Sequence, residues 1–193
     1  MKHKRILAMI LAVASCLSLA VGASAANTTT RKATDFRDYD RTAWYAEAVS
    51  AAVDNGLLYG KSSTIIDPNG DMTRAEMAAI INRSFGCYVK ADISKYKDVS
   101  KDKWYFEDVA MAVQMGTYNG RSNSIMAPDA PITRQEAMTV VARALELDYD
   151  AYAKTDLSAF SDHSEISGWA LPYVRAMIGA DYIHGRGKVL APL

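Results

Sequence analysis

The stretch Thr73-Arg74-Ala75-Glu76 returns sixty residues later as Thr133-Arg134-Gln135-Glu136, and its surroundings return with it. Phe36 and Tyr96, Asp38 and Asp98, Trp44 and Trp104, Gly56 and Gly116, Gly60 and Gly120, Pro68 and Pro128, and Arg83 and Arg143 fall in the same register without a gap. A fixed period of this kind marks one supersecondary unit used several times, none able to bury its apolar face alone. The chain is an array, and its 193 residues have an ordinary globular composition, half apolar and 23% charged.

Each repeat reads as helix, loop, helix. Over residues 44–55, Trp44, Ala48, Val49, Ala52 and Val53 recur at helical spacing, and Gly56 stands where a left-handed residue would end the helix. The copy covers residues 104–115 and closes on Gly116. After a loop carrying Asp67-Pro68-Asn69-Gly70, a second helix opens at Thr73, with Met77, Ile80, Ile81 and Phe85 on its inner face; the copy runs from Thr133 through Met138, Val141 and Leu145. Residues 63–66 and 124–126 are short, extended connections at most. Met77, Ile80, Ile81, Met138 and Val141 are expected to form one shared core.

A third copy begins at Phe160 and Asp162, continues through Trp169 and Gly185, and reaches Val189-Leu190-Ala191-Pro192, which answers Ile125-Met126-Ala127-Pro128. Its register has slipped by four or five residues, and its second helix does not appear in the sequence. The expected organisation is a repeat at 36–88, a second at 96–147 and a partial third at 160–193.

The first residues read differently. Lys2, Lys4 and Arg5 precede an apolar run over residues 6–21, and Ala23-Ser24-Ala25 has the small-x-small form of a cleavage site. Residues 1–26 are therefore expected to be a secretory signal peptide, followed by a polar linker at 27–35. A permanent membrane helix wants about 20 apolar residues and no cleavage site, and lipidation at Cys16 fits poorly because Leu17 continues the apolar run. Without Lys2, Lys4 and Arg5, the 22 basic residues become 19 against 22 acidic ones. That balance offers no support for nucleic-acid binding, which wants a basic face. Cys87 is the one cysteine after the signal, so no intramolecular disulfide is expected.

An aromatic-x-Asp opening, a Trp before an alanine-rich helix, glycines four apart, a loop proline and a Thr-Arg-x-Glu helix start together resemble surface-layer homology (SLH) domains. The resemblance covers residues 36–193. It implies an all-α fold of helix-loop-helix repeats in a pseudo-threefold bundle, here with the third repeat incomplete. It also implies a secreted protein at the cell wall, held without covalent bonds to anionic secondary polysaccharide, including polymers with pyruvate ketals. Other surface-layer subunits are further expected partners; no cofactor, metal or stable membrane insertion is expected.

The residues can be weighed for their own chemistry. Thr73 with Glu76, and Thr133 with Glu136, have the spacing of a capping box, in which hydroxyl and carboxylate satisfy each other's backbone amides. Arg74 and Arg134 lie in the first helical turn, where the helix dipole disfavours a cation. Each is offset either by a carboxylate (Asp38 or Asp67, Asp98 or Asp129) or by an anionic ligand that meets guanidinium and free amides together. Trp44, Trp104 and Trp169 read first as core anchors and second as sugar-stacking groove edges. Gly60, Gly120 and Gly185 are expected to supply positive φ to a turn and to let ligand approach the backbone; Asp38, Asp98 and Asp162 to brace the start of each unit or to bind sugar hydroxyls.

Competing functions have weaker support. His163 and His184 lack metal-ligand spacing, and no nucleophile elbow or phosphate loop is present. Paired carboxylates of a carbohydrate-active enzyme remain open. A calcium loop opening at Asp67-Pro68-Asn69-Gly70-Asp71 has Ala78 where the closing carboxylate belongs. A structural surface-layer protein that oligomerises is the main alternative.

Overall fold

The computed structural model describes residues 31–193. The signal segment, Cys16 and the cleavage motif lie outside the described residues. Residues 32–193 hold five α-helices: α1 (Ala46–Asp54), α2 (Arg74–Phe85), α3 (Phe106–Gln114), α4 (Arg134–Ala144) and α5 (Leu171–Gly179). Among the described residues there is no strand, only two isolated bridges, Thr73 with Pro131 and Arg186 with Val189. The chain is all-α, with long connections.

Local chemistry sets the helix ends. Thr73 Oγ1 accepts the Glu76 amide at 3.2 Å and Glu76 Oε2 accepts the Thr73 amide at 2.8 Å; the Thr133–Glu136 pair does the same at 3.3 and 3.0 Å. Such caps contribute about 1 kcal/mol each. Behind α2, Gly86 is left-handed at φ 66° and its amide returns to Asn82 O. The first helices begin two residues later than their tryptophans, at Ala46 and Phe106.

The helices pair across repeats rather than within them. α2 lies closest to α3 of the next repeat and α4 to α5, with a smaller contact between α2 and α4, whereas the backbones of α1 and α2, and of α3 and α4, do not approach each other closely. Ala75, Ala78 and Ile81 of α2 join Val109, Ala110 and Ala112 of α3 in one apolar cluster. Small side chains at this seam let the two helices approach closely, so packing density rather than side-chain bulk stabilises the pair.

The apolar interior is correspondingly three clusters, not the one shared core expected from the sequence. Ile81 and Met138 are buried as expected, and Met77 and Val141 pack at cluster edges. Ile80 is only partly buried and lines a cleft. Sequence reading also left Ala33, Ile93 and Leu157 in linkers, yet they are 1%, 3% and 5% exposed. Ile93 and Leu157 accept the amides of Tyr96 and Phe160 through their carbonyls, as Ala33 accepts that of Phe36. The structural repeat therefore starts three residues before its aromatic.

One loop is built three times. The Asp38 carboxylate accepts the amides of Ile66 and Asp67, Asp98 those of Met126 and Ala127, and Asp162 those of Leu190 and Ala191. The second residue of each pair is a left-handed non-glycine: Asp67, Ala127 and Ala191 have φ of 58°, 56° and 49°. That backbone costs about 1–2 kcal/mol, and the paired charge-assisted hydrogen bonds offset it.

The glycines facing these loops serve packing more than turning. Gly60 has φ of 81°, but Gly120 and Gly185 do not have positive φ, contrary to the expectation from sequence. A Cβ on Gly120 would stand 2.5 Å from Tyr96 Cε1 and from Ser122 O, and 2.6 Å from Ile125 O. Gly120→Ala is expected to cost about 3 kcal/mol, because two of those atoms are backbone and cannot yield. Gly116, at φ 77° with open space beside it, should cost only about 1–2 kcal/mol on the same change. Urea unfolding of the two variants compares them directly.

Candidate functional site

A cleft lies at each junction between repeats, and the same repeat positions build both. The first, about 540 Å³, takes Gly60, Lys61, Glu76 and Arg83 from repeat 1 and Trp104 from repeat 2. The second, about 390 Å³, takes Gly120, Arg121, Glu136 and Arg143 from repeat 2 and Trp169 from repeat 3, with Arg74 in its wall. Trp44, Gly185, Arg134, Asp38, Asp98 and Asp162 line neither.

The tryptophans are not core anchors. Trp44, Trp104 and Trp169 are 85%, 61% and 53% exposed. The residue after each goes inside instead: Tyr45, Tyr105 and Ala170 are 9%, 2% and 0% exposed. Trp104 meets Tyr105 edge-on, ring centroids 5.4 Å apart at 77°. Starting the helix two residues later turns the Trp outward, over the cleft of the preceding repeat.

Positive charge reaches the clefts through residues that sequence reading did not count among the site residues. Lys61 Nζ lies 2.6 Å from Glu76 Oε2, and Arg121 holds Glu136 through Nε and Nη2, both at 3.2 Å. Arg83 stacks over Tyr59 at 4.1 Å and donates to Leu57 O; Arg143 stacks over Tyr173 at 4.8 Å. The signal was in the sequence: a basic residue follows each of Gly60, Gly120 and Gly185, and Arg83 recurs as Arg143.

Glu76 and Glu136 do more than cap. Burial alone would raise the Glu136 carboxyl; hydrogen bonds from Arg121 and the Thr133 amide, with the charge of Arg74, hold it below the ordinary range. For Glu76, burial is likewise outweighed, by Lys61 and the Thr73 amide. Both carboxylates are ionised partners of the cleft's basic residues.

Arg74 and Arg134 find partners other than the four aspartates expected. Arg74 is 5% exposed and reaches into repeat 2, where Nε donates to Met126 O at 3.0 Å, Nη1 to Glu136 at 3.0 Å and Nη2 to Asn119 O at 3.1 Å. The helix amides beside it are engaged as well, Arg74 N by Ala130 O and Ala75 N by Pro128 O, both at 2.9 Å. Guanidinium and free amides therefore do not converge on one anion at this helix start. Arg134 repeats the reach with one bond, Nε to Leu190 O at 2.8 Å. Burial and nearby Arg186 lower its pKa, and Asp162 opposes them.

Among the described residues no group of three or more His, Cys, Asp or Glu could hold a metal ion, and no helix is long and apolar enough to cross a membrane.

Comparison with known proteins agrees with this repeat plan. The chain is 32% identical over 154 residues to the surface-layer 125 kDa protein of Lysinibacillus sphaericus, covering 79% of this chain and 13% of that one. It is 26% identical over 137 residues to a cellulosome-anchoring protein of Acetivibrio thermocellus, covering 67% and 30%. It is 25% identical over 185 residues to an endoglucanase of a Bacillus strain, covering 94% of this chain but only 19% of the enzyme. The chain thus spans a minor part of these relatives, and its likeness to the enzyme lies in the repeats. It is a secreted protein of the cell surface. The S-layer homology domain matches at residues 35–78 and 95–138, each match running from the opening of a repeat through its first helix and loop into the first turn of the Thr-Arg-x-Glu helix, so the chain carries the S-layer homology domain in both complete repeats.

Proposed function

We propose that the two junction clefts bind an anionic, carboxylate-bearing cell-wall polysaccharide and that the chain thereby attaches to the cell surface without covalent bonds. The observation that carries this reading is the recurrence, at both junctions, of a solvent-exposed tryptophan facing a wall with the same two basic positions, Lys61 and Arg83 in one cleft and Arg121 and Arg143 in the other. The indole offers a flat face to the apolar side of a sugar, and its N–H reaches a hydroxyl. Arg121 and Arg143 are placed to pair with acidic substituents. Their existing partners leave guanidinium donors over, since Arg143 makes one long bond to Thr117 O at 3.5 Å. Gly60 and Gly120 contribute bare backbone to the cleft lining, their missing Cβ atoms leaving room on the inner side for Phe36 and Tyr96. The fold reading that goes with this function is three units arranged with pseudo-threefold symmetry.

Two equivalent sites on one polymer act through effective concentration, so neither need be tight. A Trp104→Ala, Trp169→Ala double variant is expected to lose cosedimentation with purified cell walls by tenfold or more, on the order of 1–3 kcal/mol per stacking face. Its unfolding midpoint should stay close to the parent's, because both rings are mostly exposed. Walls stripped of their secondary polymer serve as the control. Equal binding to stripped and intact walls would rule out the polysaccharide.

A further inference from the structure

The two clefts share a plan but not a charge. Arg74, Arg121 and Arg143 line the second against Glu136 alone, leaving two positive charges in excess. Lys61 and Arg83 line the first against Asp67, Asp71 and Glu76, leaving one negative charge in excess. The difference comes from the loop, where Asp67 and Asp71 stand at the positions of Ala127 and Pro131 in the next repeat. Neither aspartate pairs with a cation among the described residues.

The basic side chains also differ in the donors they have left. Lys61 Nζ donates to Glu76 Oε1 at 2.7 Å, to Glu76 Oε2 at 2.6 Å and to Asp71 O at 3.0 Å, which occupies all three N–H groups. Arg83 keeps donors, but its one charge is outnumbered by Asp67 and Asp71. Arg121 meets Glu136 and Pro131 O through Nε and Nη2, so its two Nη1 protons have no acceptor among the described residues. Glu136 is moreover shared with Arg74 Nη1 at 3.0 Å, whereas Glu76 and Lys61 neutralise each other one to one. The first cleft is also the larger and the more aliphatic, with Leu58, Ile66, Met72 and Ile80 in its lining together with Trp104.

We propose that the clefts read different parts of the polymer: the second takes its carboxylate-bearing residue at Arg121 and Arg143, and the first an uncharged residue that lays an apolar face on Trp104 and the aliphatic wall. This rests on the reading that both clefts hold one polysaccharide, and adds which chemistry each selects. A carboxylate brought to the first cleft meets Asp67, Asp71 and a lysine with no donor to spare, so like charge rejects it there. In the second cleft it neutralises a site that holds three guanidinium groups over one carboxylate. Clefts that differ fix which part of the polymer goes where, a register that two identical clefts would leave free.

The probe is the secondary polymer stripped from purified walls and cut to single repeating units, too short to span two clefts, titrated into the secreted protein with isotope-labelled indoles. Trp104 reports the first cleft and Trp169 the second. Both indole signals are expected to shift saturably. Once the carboxylates of the units are reduced to alcohols, the affinity read at Trp169 should fall about tenfold or more, and that read at Trp104 should stay within about twofold. Added salt should likewise weaken the Trp169 response alone. Arg121→Gln, checked for an unchanged melt, should bring the affinities of intact and reduced units at Trp169 to within about threefold of each other. Equal losses at both indoles, a larger loss at Trp104, or silence at one of them would overturn the assignment and leave the polysaccharide reading standing. Silence at both would remove that reading, and this inference with it.

Discussion

Arg74→Ala is expected to lower the unfolding free energy by about 3–5 kcal/mol, the cost of removing one partner from a buried ion pair. The side chain is 5% exposed and joins repeat 1 to repeat 2 through Met126 O, Asn119 O and Glu136. Tyr118 closes the pocket: its ring lies 5.3 Å from the guanidinium and its hydroxyl donates to Arg74 O at 2.9 Å. Burial pushes that phenol well above its ordinary pKa, so it stays a donor at any physiological pH. Arg134→Ala is the matched control. With a single carbonyl bond it should cost about 1–2 kcal/mol. Chemical denaturation of both variants decides the matter, and equal losses would remove Arg74 from its structural role. Loss of wall binding on Arg74→Ala is accordingly no measure of ligand contact, which is why the tryptophan variant carries the functional test.

Asp98→Ala should cost about 3 kcal/mol, from two charge-accepting amide bonds at 2.9 and 2.6 Å. Without them Ala127 loses the carboxylate that holds its amide at φ 56°. Adding Ala127→Gly to that variant should return about 1 kcal/mol, because glycine adopts the left-handed backbone without the Cβ penalty. Met126, clamped by Asp98, is also the acceptor for Arg74 Nε. The Asp98→Ala and Arg74→Ala losses should therefore be less than additive, with a coupling of about 0.5–3 kcal/mol in a double-mutant cycle. Strict additivity would mean that the loop keeps its shape without its clamp.

The helices were legible because their signals are local. The capping boxes at Thr73 and Thr133, the glycine stops and the apolar spacing all lie within one turn or two of the residues they govern. What the sequence concealed was partnership between distant segments. Nothing near Arg74 announces Glu136 or Met126, more than fifty residues away, so nearby aspartates were the only carboxylates that local reasoning could offer. The core-anchor reading of the tryptophans failed for a different reason. A shift of two residues in the helix start exchanges Trp104 for Tyr105 at the buried position, and boundary uncertainty of that size is inherent in periodicity. In the candidate site, Gly60, Gly120, Trp104 and Trp169 were legible from recurrence. Lys61, Arg121, Arg83 and Arg143 recur too, but scattered surface cations draw attention only once a cleft brings them together.

The pairing of α2 with α3 and of α4 with α5 has a practical consequence for anyone cutting or grafting this chain. A fragment cut at the sequence boundaries, such as 36–88, separates α2 from its packing partner and exposes the alanine seam around Ala75 and Ala78. A fragment beginning near the Thr-Arg-x-Glu helix and ending before the next one keeps a matched helix pair together with its loop. The portable module is thus phase-shifted by half a period from the one the eye finds in the sequence, and fusion joints belong just before Thr73 or Thr133, beyond the loops that Asp38 and Asp98 clamp.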